Sequence, residues 1–133
     1  MAAVVADTHA LLWYVFSSPK LSAPALRAME EALSSGDGIY VCAITLVELT
    51  YLVEKGKQPA DALQRIERAL EDETQGFTEV PVDLRISRAL SRVPRTSVPD
   101  MPDRIIGATA LHLGLQLVSR DQALRRSHIP VIW

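Results

Sequence analysis

The chain has 133 residues, 14 Lys and Arg against 16 Asp and Glu, a formal net charge of −2, and 48% hydrophobic residues. This composition describes one globular domain large enough to bury a core; it excludes a disordered chain and gives no bulk positive charge for binding nucleic acid. No stretch reaches the roughly 18 uninterrupted apolar residues of a membrane helix, and the start has no basic leader ahead of Asp7. The single cysteine, Cys42, sits in an apolar run, so a buried inert thiol in a cytoplasmic protein is expected.

In chain order, Ala2 to Ala6 reads as a short strand buried on both faces, and His9 to Phe16 as an apolar helix stopped by Ser17-Ser18-Pro19. Ser22-Ala23-Pro24 has the form of an N-cap with Pro just inside, opening a helix that ends at Ser34-Ser35-Gly36. Ile39 to Cys42 has strand character; Thr45 to Lys55 reads as helix with Gly56 closing it. Pro59 to Glu71 is helical, with Ala62, Leu63, Ile66 and Leu70 on one stripe, and Phe77 to Val80 is a short strand before Pro81. Val82 to Val93 and Asp100 to Gly114 are expected helices, Gln116 to Ser119 a strand, Asp121 to Arg126 a short helix and Val131 to Trp133 a closing strand. Strands alternating with helices predict an α/β fold with a mainly parallel sheet over residues 1–133.

Four acids sit against apolar elements. Asp7 ends Val4-Val5-Ala6, Glu48 interrupts Ile44 to Leu49, Asp103 opens the Ala-rich run from Ile105 to Leu115, and Asp121 follows Leu117-Val118-Ser119-Arg120. Each has a local explanation. Asp7, Asp100 and Asp121 suit N-caps, and Thr45-Leu46-Val47-Glu48 has the form of a capping box. Capping does not explain all four together. Ligands in open parallel sheets gather beyond the carboxyl ends of strands, where Asp7 and Asp121 are expected. Carboxylates brought together repel and require a cation, and an all-carboxylate set selects Mg2+ or Mn2+. His9, His112 and His128 show no zinc-ligand spacing with one another or with Cys42; His9 is expected to pack against or cap the first helix.

The segments Asp7-Thr8-His9-Ala10-Leu11-Leu12-Trp13, Ala43-Ile44-Thr45-Leu46-Val47-Glu48-Leu49, Asp100-Met101-Pro102-Asp103-Arg104-Ile105-Ile106-Gly107-Ala108 and Leu117-Val118-Ser119-Arg120-Asp121 occur in this order along the chain. Together they resemble the PIN-domain family, and specifically the VapC-type ribonuclease toxins of toxin–antitoxin pairs. The resemblance implies a three-layer α/β/α sandwich forming a single PIN domain. It further implies an acidic metal pocket of Asp7, Glu48, Asp103 and Asp121, supported by the hydroxyls of Thr8 and Ser119; Asp100 is a supporting cap. Relatives often read Asp-Pro-Phe-Asp-Arg where this chain reads Asp-Met-Pro-Asp-Arg, and Thr where it has Ser119; neither change removes a ligand. The implied activity is hydrolysis of RNA phosphodiesters by metal-activated water. The implied partners are an RNA substrate, a cognate antitoxin whose tail fills the groove, and a second copy in a homodimer.

An acidic pocket needs basic neighbours to hold RNA. Arg85, Arg88 and Arg92 recur on one helix face. Arg104 adjoins Asp103, and Arg120, Arg125 and Arg126 cluster near Asp121. As phosphate contacts these arginines compete with a plain solvated face. Trp13, Tyr14 and Phe16 compete likewise between core packing and a contact surface. The alternative to a nuclease is a catalytically silent PIN-like binding or scaffold module. A phosphotransfer receiver ranks last, because no lysine follows Lys57.

Overall fold

The computed structural model of the protein describes residues 2–133. Its strands are β1 (Val4–Ala6), β2 (Ile39–Cys42), β3 (Phe77–Val80), β4 (Gln116–Val118) and β5 (Val131–Ile132). Between them run α1 (Thr8–Val15), α2 (Ala23–Ser34), α3 (Ile44–Glu54), α4 (Ala60–Glu71), α5 (Leu84–Ala89), α6 (Met101–Leu113) and α7 (Gln122–Arg126). All strand pairings are parallel, in the order β3-β2-β1-β4-β5. Val5 of central β1 lies in register with Tyr40 on one side and Leu117 on the other. No helix among the described residues is long and apolar enough to cross a membrane.

The pleat sends alternate residues to opposite faces. Val4, Ala6, Ile39, Val41 and Phe77 pack with Leu11, Met29, Leu49 and Ile66 from α1, α2, α3 and α4. Val5, Cys42 and Leu117 pack on the other face with Ile86, Ile106 and Leu124 from α5, α6 and α7. The three layers expected of the fold are therefore present, with a core on each side of the sheet. Local chemistry accounts for most helix ends. Ser22 Oγ accepts from the Ala25 amide at 3.2 Å to start α2, and Gly114 takes the left-handed conformation (φ 67°) that closes α6.

Two local expectations are corrected. The helix α3 begins at Ile44 with no side-chain cap, so Thr45 lies inside it and the Thr45–Glu48 capping box does not form. The Thr45 hydroxyl is instead buried beside Thr8. The helix expected from Val82 to Val93 is shorter, because Asp83 accepts from the Arg85 and Ile86 amides and caps it from outside. Its last turn tightens into a 3-10 turn over Leu90–Arg92. Pro94 has no amide to offer the Leu90 carbonyl in a continued helix, and that carbonyl accepts instead from the Val93 amide at 3.0 Å and from Arg104 at 3.1 Å.

Candidate active site

With β1 in the middle of the sheet, the chain winds outward to β2 and β3 on one side and to β4 and β5 on the other. Where winding reverses, between β1 and β4, the loops leaving the strands part and open a crevice. Asp7 leaves β1 directly, and its amide donates to Val118 O at 3.1 Å, tying the two strand ends together. Ser119, Arg120 and Asp121 leave β4 at the same edge.

A cavity of about 420 Å³ opens there. Its carboxylates are Asp7, Glu48, Asp100, Asp103 and Asp121, and Thr8, His9, Trp13, Arg120 and Gln122 complete the wall. Four acids from four separate segments thus share one pocket. Capping and clustering prove compatible. Asp7 Oδ1 accepts from the Ala10 amide at 2.8 Å, Asp100 Oδ2 from the Asp103 amide at 3.2 Å, and Asp121 Oδ2 from the Leu124 amide at 2.9 Å. Each cap engages one oxygen and leaves the other outside the cap. Glu48 reaches the site from within α3, held by a 2.6 Å bond from Thr8 Oγ1 to its Oε1. Thr8 Oγ1 also lies 3.2 Å from Thr45 Oγ1, so two buried hydroxyls back this carboxylate. Ser119 is fully buried and its Oγ accepts from the Asp121 amide at 3.0 Å, folding the turn that carries Arg120.

The electrostatics are those of crowded acids. Burial raises Asp7 to about 6, opposed by hydrogen bonds from Ser119 and the Ala10 amide and by the charge of Arg120. Asp103 is raised to about 8, by burial first and then by Asp121, Asp100 and Glu48. Burial also raises Glu48, against the Thr8 hydrogen bond. Among the described residues no group of three His, Cys, Asp or Glu side chains is drawn close enough to hold a metal ion as it stands.

His9 takes the packing half of its expected role and adds a place in the pocket wall. Asp7 supplies the cap, while His9 is exposed, lines the pocket and lies 5.6 Å from Trp13, ring centroid to ring centroid. Burial lowers its pKa, with Glu48 opposing. His9 and Trp13 share an α1 face at i and i+4, a spacing visible in the sequence that marks both as pocket residues only once Asp7 is placed. Arg85, Arg88 and Arg92 are exposed on α5 and the 3-10 turn and do not line the cavity. Arg104 also stands outside it: Nε donates to Val93 O at 2.9 Å and Nη2 to Leu90 O at 3.1 Å. A second hollow of about 620 Å³ lies between α1, α2 and α4, with Trp13, Tyr14, Leu21 and Phe77 among its walls.

Comparison with known proteins identifies the family and the fold. A family profile described as PIN domain matches residues 4–128. The chain is 29% identical over 136 aligned positions to Ribonuclease VapC22 of Mycobacterium tuberculosis, covering 98% of this chain and 95% of that protein. Among solved structures it resembles a chain of VapBC2 from Rickettsia felis bound to a promoter DNA fragment, with TM-score 0.69 and 15% identity over 97% of this chain and 96% of that one. It also resembles a chain of a toxin–antitoxin complex from Klebsiella pneumoniae, with TM-score 0.66 and 22% identity over 98% and 96% of the two chains. At those identities the structures speak to the fold alone. The profile spans nearly every element that builds the acidic crevice, and on that ground the chain belongs to the PIN-domain family.

Proposed function

We propose that the protein is a metal-dependent ribonuclease acting as the toxin of a toxin–antitoxin pair, with the crevice between β1 and β4 as its active site. The observation that carries this reading is the convergence of Asp7, Glu48, Asp103 and Asp121 on one cavity at the switch point of the sheet. The donor set fits a hard divalent cation. The candidate ligands are carboxylate oxygens, and two of them are held well above the usual carboxylate range by burial and by each other.

Asp7, Glu48, Asp103 and Asp121 would hold Mg2+ or Mn2+, which when bound activates water for attack on a phosphodiester and neutralises charge developing on the phosphate oxygens. The caps at the starts of α1 and α7 fix Asp7 and Asp121 in orientation, and Asp100 fixes the first turn of α6, where Asp103 stands. Thr8 aims Glu48, and Ser119 steadies both Asp7 and the Asp121 turn. Asp103, its pKa raised by burial and by its acidic neighbours, would hold its charge more readily beside a bound cation. Arg85, Arg88 and Arg92 are candidates for the flanking RNA backbone, and Arg104 serves that surface by bracing α6 against the turn that carries Arg92. Ribonuclease VapC22 and the toxin–antitoxin complexes support an RNA substrate and an antitoxin partner for this chain. Exposed Val47 and Tyr51 on α3, with Leu84 on α5, suit a second copy.

The test is to incubate purified protein with total RNA and Mg2+ or Mn2+, beside an EDTA control and the Asp7→Ala variant. Cleavage lost in both controls is expected. Cleavage that survives both overturns the reading, and a folded wild-type protein inert toward every cellular RNA class points to the silent binding module.

A further inference from the structure

Among the described residues, Arg120 is the only cation in the cavity wall apart from what protonation adds to His9. It stands at the tip of the Ser119–Asp121 turn, beside five carboxylates, and would be expected to pair with one of them. Among the described residues it makes no ion pair; the sole salt bridge joins Arg85 to Asp83. Its guanidinium carbon lies instead over the Trp13 ring, 4.8 Å from the centroid. Trp13 is itself held in place, with Trp133 at 5.8 Å and His9 at 5.6 Å between ring centroids. The side chain is exposed, and no hydrogen bond to another described side chain or carbonyl occupies its donors. Stacking on an aromatic face leaves the in-plane N–H groups of a guanidinium directed outward, the geometry that grips a phosphate in bidentate fashion.

We propose that Arg120 is the substrate-phosphate clamp of the pocket and that Trp13 is its positioning residue. The N–H groups of Arg120 hold the non-bridging oxygens of an RNA phosphate at the mouth of the acidic cavity, and the indole face keeps the guanidinium from collapsing onto Asp7 or Asp121. This rests on the ribonuclease reading above and extends it from the carboxylates to the recognition of the RNA backbone. An aromatic holder accounts for a feature that charge alone does not: a cation surrounded by acids that pairs with none of them.

The experiment measures binding of a fluorescein-labelled, random-sequence single-stranded RNA by anisotropy. It uses the cleavage-impaired Asp103→Asn protein, with Mg2+ held constant and monovalent salt varied. Each phosphate contact contributes about 0.7 to the slope of log affinity against log salt for single strands. Adding Arg120→Gln is expected to lower that slope by about this amount, whereas Arg27→Gln, exposed on α2 and outside the cavity wall, leaves it unchanged. Arg120→Lys keeps the slope but weakens binding, because a point charge loses the bidentate grip. Trp13→Leu raises the dissociation constant several-fold and Trp13→Phe restores it. In the cleaving protein, Arg120→Gln raises KM about ten-fold with a smaller change in kcat. A folded Arg120→Gln protein that binds RNA with the unaltered slope overturns the clamp while leaving the nuclease reading intact. If the parent protein binds no RNA and the wild-type chain cleaves none, both fail together; if the parent binds RNA but the wild-type chain never cleaves, the nuclease reading alone falls.

Discussion

At the β1 wall of the pocket Asp7 is 8% exposed, yet its carboxyl rises only to about 6. At the α6 wall Asp103 is less deeply buried and rises to about 8. Burial alone predicts the opposite order. The difference lies in the company each group keeps. Asp7 accepts hydrogen bonds from Ser119 and the Ala10 amide and feels Arg120, all of which favour the anion. Asp103 is offered no stabilising donor and faces Asp121, Asp100 and Glu48. One wall is therefore organised around a carboxylate, and the other holds an acid whose ionisation near neutral pH its acidic neighbours oppose.

The largest effects should come from removing either acid. Asp7→Asn and Asp103→Asn are each expected to lower kcat/KM for RNA cleavage on the order of 10²-fold or more, the scale of deleting a group that stabilises charge in the transition state. A loss confined to Asp7 would show the α6 wall to be dispensable. Thr8→Val removes the hydroxyl behind Glu48 at nearly constant volume, and a loss of about ten-fold is expected, at the low end for groups that orient ligands; activity within two-fold of wild type would break that link.

Stability against pH sharpens the comparison further. Both acids have folded pKa values above their ordinary 3.8, so between those limits the folded state holds protons that the unfolded state has released. Stability must then fall as pH rises. Without divalent ions, Tm is expected to drop by several degrees from about pH 4 to about 8, the window bounded by the ordinary carboxylate value and the raised Asp103. Asp103→Asn should flatten the whole window from about pH 4 to about 8, and Asp7→Asn only the part below about pH 6; added Mg2+ should recover stability most where Asp103 is ionised. Equal flattening by both variants above pH 6 would show that the two walls are not distinct. The smallest effect concerns the brace of the α6 wall. Arg104→Gln gives up charge-assisted bonds to the Leu90 and Val93 carbonyls, and urea unfolding should register a loss of about 1–3 kcal/mol.

Much of this was legible in the residues. The strand from Phe77 to Val80 and the helix from Ser22 to Ser34 appear where turn residues, caps and periodicity put them, because those signals act within a few residues of chain. The acids at strand and helix ends were legible for the same reason, and three of them do cap. The capping box at Thr45 was misleading, since the hydroxyl that would have closed it is engaged by Thr8 from another element. The shortened α5 rests on local signals, the Asp83 cap and Pro94, and only the Arg104 bond to its last turn comes from another element. Trp13 and Arg120 became partners only when β4 was laid beside β1.

By itself, then, the sequence determined where strands, helices and caps fall and which side chains stand at strand ends, since backbone sterics and capping bonds are short-range. The tertiary structure alone decided that four separated acids share a pocket, that the more buried of two aspartates is the easier to ionise, and that an arginine among acids rests on an indole. Those outcomes depend on Coulombic, desolvation and stacking contacts between segments far apart in the chain, whose distances only the strand order sets.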